Sequence, residues 1–402
     1  MKFESNRLRL VVAKGTFGSM GGAERDMIRV LPALNEIFEV KMATIQPSIE
    51  LEEVCARNKI PLILPKKNWE MGSGSISTIL DSDRSTASAA WATCEGLQEA
   101  LAGADALHLA SGDGSLPLID HLTDELRVHL LMHEPHRGLY EDTLHRTVDG
   151  SPKRNPRLSR LLLSRARRRD RGLIGKLTSR ENSKISGNSS FSAKRTKEVY
   201  GVNAGVLWPC VDTSEFPQDS SDDVENPFDG NGEYVVCIGR ATWAKGTWEA
   251  ISMLSGTGLS LAHVGGGEEV AIERIKSHAH DCGVELWVAP RLDSPELVSL
   301  MRSSTAIISM AHRESFGLTP IEAFSVGTPA IFVDEGGFKD TIVDGENGRL
   351  VSRDDIAAWH GALKEAKDES IRNKWIMAGR SRLKELDLSP KAHARRLFSI
   401  LS

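Results

Sequence analysis

Two carboxylates eight positions apart, Glu314 and Glu322, bracket the run Ser-Phe-Gly-Leu-Thr-Pro-Ile. Upstream lies a short apolar stretch, Ala306–Met310, and downstream another, Ala330–Val333, each with the character of a buried strand. Between them Thr319 is expected as an N-cap, Pro320 as the first helical residue and Glu322 as the N3 partner of a capping box, with Gly327 ending the helix. That order is strand, loop, helix, strand. It leaves Glu314 in a loop at the carboxyl end of a strand, where open parallel sheets take their ligands. The N–H groups of Phe316, Gly317 and Leu318 would face an anion placed before the helix. Glu322 has a structural use in a cap, whereas Glu314 has none.

This segment resembles the E-x7-E signature of retaining glycosyltransferases of family 4, which have the two-domain GT-B fold and use nucleotide-activated sugars. The resemblance extends over nearly the whole chain and is tightest from 234 to 351. It implies that Glu314 holds hydroxyls of the transferred sugar and Glu322 the ribose, roles suited to acceptor-only groups. Phe316, Gly317, Leu318 and Thr319 would line the donor. Gly239-Arg240-Ala-Thr-Trp-Ala-Lys245-Gly246 is similar to the family's G-R…K-G element, with a spacing one residue shorter than in many relatives. Arg240 would offer a planar fork to the diphosphate and Lys245 a compact charge. Gly266, in the glycine turn Gly265-Gly266-Gly267, would lie beside the nucleotide. In the first half, the loop 15–22 matches the family loop that faces diphosphate and acceptor, with Gly18, Gly21 and Gly22 allowing close backbone approach. His133 resembles the family histidine that lies against the transferred sugar. Glu314, His133, Arg240 and Lys245 are thus the catalytic candidates.

The elements that must position these groups alternate between strand and helix, which gives parallel βαβ units and doubly wound sheets. At 402 residues the chain has room for two α/β domains. The expected division is a Rossmann-like acceptor-side domain at 1–212, an acidic linker at 213–232 and a Rossmann-like nucleotide-sugar domain at 233–385. A helix within 386–402 would return to the first domain. The resemblance implies the GT-B architecture, with the two domains facing a cleft.

Five dispersed cysteines without C-x-x-C spacing read as reduced residues, neither a disulfide frame nor a zinc site. Asp81-Ser-Asp83 is formally Asp-x-Asp but sits in a serine-rich run with no strand before it, so no metal site and no cofactor are expected. Residues 151–200 carry 15 Lys and Arg against 3 Asp and Glu, a local balance of +12 on a chain whose remainder carries −17. Within that segment, 153–171 interleaves leucines with nine cations. This suits an anionic membrane surface or a phosphorylated acceptor. Nucleic acid is disfavoured, because aromatic residues for base stacking are nearly absent there. No apolar run reaches the roughly 18 residues of a bilayer span and the N-terminus does not read as a signal peptide. A cytoplasmic protein, at the inner face of the membrane, is expected. Its partners would be a UDP- or GDP-linked sugar and a glycan or lipid-linked hydroxyl acceptor. Two other readings share parts of the pattern: a nucleotide-sugar epimerase of the same fold, and a non-catalytic binder of sugar nucleotides or polyanions.

Overall fold

A computed structural model of the chain describes residues 7–18, 20–72, 82–212, 216 and 224–402. They form two compact units. The first draws on Met1–Tyr140, Pro156–Asp212 and Leu388–Ser402, the second on Glu141–Asn155 and Thr213–Asp387. The expected first domain, 1–212, therefore needs a correction. Its residues 141–155 leave it and fold with the second unit, where Asp149 pairs with Arg274 at 2.6 Å. Of the expected linker 213–232, residues 213–215 and 217–223 lie outside the described residues.

The first unit is a seven-stranded parallel sheet in the order β3-β2-β1-β4-β5-β6-β7. Its strands are β1 (Arg9–Ala13), β2 (Glu39–Ala43), β3 (Leu62–Ile63), β4 (Ala106–Ala110), β5 (Arg127–Met132), β6 (Ser183–Gly187) and β7 (Gly205–Val206). Because side chains alternate along a strand, β1 feeds two cores. Val11 and Ala13 join Leu107, Leu109 and Trp91, while Leu10 and Val12 join Leu31 and Leu34 of the helix Gly22–Ile37. Both faces are covered, which is why the central strands are apolar almost throughout. The second core also takes in Ala394, Leu397 and Leu401 of the C-terminal helix Pro390–Leu401. Arg127 ties that helix down by donating to the Leu401 carbonyl at 2.9 Å.

The second unit is a six-stranded parallel sheet in the order β10-β9-β8-β11-β12-β13. It comprises β8 (Tyr234–Ile238), β9 (Ser260–Val264), β10 (Leu286–Val288), β11 (Ile307–Ser309), β12 (Ala330–Val333) and β13 (Arg349–Val351). Strand order reverses between β8 and β11, as it does between β1 and β4 in the first unit, and a crevice opens at such a switch point. At this end of the second sheet the backbones nearly touch. A Cβ on Gly246 would lie 2.0 Å from the Met310 carbonyl oxygen, and Gly246 has φ +70°. Gly246→Ala should therefore cost roughly 2–4 kcal/mol, combining backbone strain with a clash that must move β11. Gly256 has φ +78° but open space around it, so Gly256→Ala should cost only about 1 kcal/mol. Urea unfolding of the two variants measures the difference; equal costs would mean the Gly246 contact does not constrain the sheet.

Candidate functional site

The loop after β8 carries Arg240 and the loop after β11 carries Glu314, so the two flank the switch point of the second sheet. Gly239 (φ +148°) turns the chain out of β8, and its N–H donates to the Val264 carbonyl at 2.7 Å. Ala241 N–H donates to the Gly266 carbonyl at 2.7 Å, which holds the glycine turn after β9 against the Arg240 loop. A single turn, Trp243–Lys245, then brings the Lys245 ammonium to 2.6 Å from a Glu314 carboxylate oxygen. Glu314 is the better buried partner, with its side chain 22% exposed against 39% for Lys245. Arg240 is exposed and lines a cavity of about 460 Å³ together with Gly267 and Arg274.

The expected capping box does not form. Thr319 is the first residue of the helix Thr319–Val326 rather than its N-cap; Leu318 occupies the cap position and no side chain caps the end. Counting from Leu318, Glu322 falls at N4 instead of N3, one residue too far for the reciprocal bond. Its side chain is half-buried on the first turn. Among the described residues no acceptor pairs with the N–H groups of Phe316, Gly317 or Leu318. These amides, with the helix N-terminus behind them, can receive negative charge.

What fixes this loop, besides the candidates Phe316 and Gly317, is a set of residues to which sequence reasoning gave no role. Gly337 N–H donates to the Glu314 carbonyl at 2.8 Å, and neither Gly336 nor Gly337 leaves room for a side chain against 313–316. Phe316 is buried, and Gly317 (φ +83°) lies on the Phe338 ring. Arg313, at φ +50°, sits in a backbone region rare for its type. Beneath the loop, the Arg353 guanidinium donates to Glu249 and Glu335 at 3.0 Å each and to the Met310 carbonyl at 2.7 Å. Glu249 also meets His312 at 2.8 Å. Burial works against the charged form of Glu335, but the hydrogen bond and charge of Arg353 outweigh it and hold the carboxyl below its ordinary range. The Arg353–Glu249 pair has no local signal, since it joins positions 104 apart, and the other polar contacts of Arg353 and Glu249 span 18 to 63 positions.

In the first unit, Gly18 and Gly21 lie on the exposed loop that leads from β1 into the helix Gly22–Ile37, and Gly22 is that helix's exposed first residue. Gly21 is extended (φ −106°), and Glu24 accepts its N–H at 2.9 Å. The missed residue here is Lys14, fully buried at the end of β1, paired with Glu24 at 3.0 Å and donating to the Ser111 carbonyl. A lysine directly after an apolar strand and before a glycine loop was the available signal. His133 follows β5; its N–H donates to Ser111 Oγ at 2.9 Å, and its carbonyl accepts from Ser192 Oγ at 2.6 Å. Burial first, then the Lys14 charge, pushes the His133 imidazole down to about 3, so it is neutral across the physiological range. Asp81 lies outside the described residues, and Asp83 accepts the Gly72 N–H at 2.9 Å near the start of the helix Ser82–Ala92.

Residues 219–382 match the family model described as glycosyl transferases group 1. The chain is 32% identical over 210 residues to a D-inositol 3-phosphate glycosyltransferase of Acidothermus cellulolyticus, a match spanning 47% of this chain and 46% of that one. It is 25% identical over 237 residues to human alpha-1,3/1,6-mannosyltransferase ALG2, spanning 52% and 56%. The chain thus spans about half the length of the curated relatives it matches. In structure it resembles a glycosyltransferase from Rickettsia africae, with TM-score 0.68 at 16% identity over 98% of both chains. It likewise resembles HepE from Anabaena, solved with UDP and glucose, with TM-score 0.65 at 15% identity over 98% and 99%. The fold is GT-B: two doubly wound Rossmann-like sheets, with the last helix packed on the first.

The buried imidazoles set a pH response. His129 and His133 are each pushed down to about 3, and His108 and His393 are also lowered, with burial the main cause in all four. Between that range and an unfolded value near 6.5, the unfolded chain binds more protons than the folded one. Stability should therefore be complete above pH ~6.5 and fall as pH drops below it, each group contributing up to about 1.4 kcal/mol per pH unit. Urea midpoints from pH 7.5 to 5 test this. The decline should be shallower in His133→Asn, and a profile flat to pH 5 would contradict the neutral assignment.

Proposed function

We propose that this protein is a glycosyltransferase that moves a sugar from a nucleoside diphosphate to a hydroxyl acceptor, with retention at the anomeric carbon and without a metal ion. The observation that carries the reading is the Lys245–Glu314 pair at the β8/β11 switch point, with Arg240 on the adjoining loop. A cation beside a carboxylate suits a donor that is anionic at one end and hydroxylated at the other. The match to the group 1 glycosyltransferase model over 219–382 covers these residues, and a structural neighbour holds UDP and glucose.

In this reading the diphosphate lies between Arg240, Lys245 and the amides of Phe316, Gly317 and Leu318. Thr319 adjoins them at the helix start, with Gly266 beside the nucleotide. Glu314 accepts hydrogen bonds from sugar hydroxyls and Glu322 from the ribose. Neutral His133 has the chemistry to exchange hydrogen bonds with a sugar hydroxyl, and Gly18, Gly21 and Gly22 leave their loop open to a ligand. As the bond from the anomeric carbon to the phosphate oxygen breaks, charge grows on the leaving diphosphate, and the cations stabilise that state more than the ground state. The acceptor oxygen bonds to the anomeric carbon on the same face. Its proton passes to the departing phosphate, so no protein nucleophile is needed.

Removing Glu314 should cost about 10²-fold or more in turnover with the fold intact. Arg240→Ala or Lys245→Ala should each cost roughly 10²–10³-fold, and Arg240→Lys should restore only part, since a point charge does not reproduce the fork. Thermal shifts against UDP, GDP and ADP sugars select the donor, and transfer is then assayed with and without EDTA. A folded Glu314→Ala with near-normal transfer, or abolition by chelator together with silent Arg240 and Lys245 variants, would overturn the reading.

We also infer an anionic membrane as the surface on which the acceptor is met. The short helix Pro156–Leu162 exposes Leu158, Leu161 and Leu162, and Arg160, Arg165 and Arg168 beside them are exposed too. No helix among the described residues is long and apolar enough to cross a bilayer. Binding to vesicles of acidic lipid should weaken as salt rises and weaken further when Arg160, Arg165 and Arg168 become Ser, each charge being worth about 1 kcal/mol. Equal binding to neutral vesicles would remove the electrostatic part of this inference.

A further inference from the structure

The segment 141–155 belongs to the second unit although 88 positions or more separate it from Trp243, against which Gly150 packs. It is a small arm closed on itself. Arg146 and Pro152 form an antiparallel bridge, Thr147 N–H donates to the Ser151 carbonyl at 2.9 Å, and Lys153 N–H donates to the His145 carbonyl at 2.8 Å. Contacts with the rest of the unit fasten it. Asp149, only 17% exposed, holds Arg274 at 2.6 Å; Gly150 (φ +83°) lies flat on the Trp243 ring; and Glu141 meets Arg313 at 3.5 Å. A Cβ on Gly150 would stand 2.7 Å from that ring, so the arm can dock this closely only with glycine there.

Docked in this way, the arm supplies one wall of the 460 Å³ cavity that Arg240 lines from the other side. The cavity brings together Arg146, Lys153, Arg240 and Arg274, with Thr242 and the Gly267 backbone between them. Arg274 is matched by Asp149, and Arg146 has Asp142 at 3.5 Å. Among the described residues neither Lys153 nor Arg240 has an acidic partner, although Glu268 also lines the cavity. A concave site of this size with several convergent cations is the usual setting for a phosphorylated ligand.

We propose that the arm 141–155 is part of a binding site: Arg146 and Lys153 join Arg240 to hold a phosphate-bearing group. That group is either the diphosphate of the donor or a phosphate carried by a second ligand. The first source rests on the nucleotide-sugar reading, while the second does not. Because the arm's backbone is already fastened by Asp149 and Gly150, the ordering cost that opposes binding is confined to side chains.

The test is calorimetric titration of the full chain with UDP, with GDP, and with inorganic phosphate, alone and in the presence of saturating UDP. Arg146→Ser/Lys153→Ser is compared with the charge-preserving Arg146→Lys/Lys153→Arg, after unfolding midpoints show both are folded. The expected result is at least a tenfold loss of phosphate binding in the Ser variant and recovery in the other. If nucleotide affinity falls with it, and UDP blocks phosphate, the ligand group is the donor diphosphate. If nucleotide affinity holds and phosphate still binds beside UDP, the group belongs to a second ligand. Unchanged affinities in the folded Ser variant, or no binding of any probe by the wild type, overturn the proposal. Since no transfer is measured, a silent Glu314→Ala would sink the activity assigned above without touching this result.

Discussion

The close approach of backbones at the carboxyl ends of β8, β9, β11 and β12 is the constraint on which this molecule depends. Glycines make it possible. Gly246 lies against Met310, Gly265 against Gly239, and Gly336 and Gly337 against the 313–316 turn. A side chain at any of these points would wedge two loops apart, and the loops bear Arg240, Lys245 and Glu314. The charged groups therefore meet because uncharged, minimal residues let their main chains converge. Arg353 does from below what the glycines permit from above, binding two carboxylates and a carbonyl so that the loop rests on a satisfied polar base.

Much of this was readable along the chain, because the central strands are covered on both faces and stand out as apolar runs, whereas β2 (Glu-Val-Lys-Met-Ala) and β6 (Ser-Lys-Ile-Ser-Gly) do not. The switch-point loops were readable for the same reason: each follows a recognisable strand and precedes a recognisable helix. The misreading at Thr319 is a one-residue slip. Thr followed by Pro fits an N-cap and N1 as well as N1 and N2, and only the conformation of Leu318, already helical, decides between them. The departure of 141–155 from its neighbours was not legible. It depends on Asp149 meeting Arg274 and on Gly150 meeting Trp243, contacts across long stretches of sequence that leave no periodic mark. Lys14 lay between these cases, since its position was visible but its burial against Glu24 required the fold.

The 2.6 Å contact between Lys245 and Glu314 also bears on how the proposed donor would be taken up. Each group neutralises the other, so neither is left as an uncompensated charge in a half-buried place. A ligand bearing both negative charge and hydroxyls can replace that contact with two separate ones, satisfying cation and carboxylate together. A ligand with only one of these features leaves one partner without its match. In the proposed reading the pairing would thus favour donors with both kinds of group.

The chain changes unit after Tyr140, Asn155, Asp212 and Asp387, and this bears on how the molecule is made. On the ribosome the arm emerges while its anchor Arg274, 125 residues beyond Asp149, is still unwritten. At the usual rate of synthesis it waits on the order of ten seconds with its arginines and Trp243's future seat uncovered. One core of the first sheet, in turn, stays incomplete until the final helix has been translated. Neither half can be completed in the order of its own residues, so cutting the gene at 212 would leave each fragment holding a piece of the other.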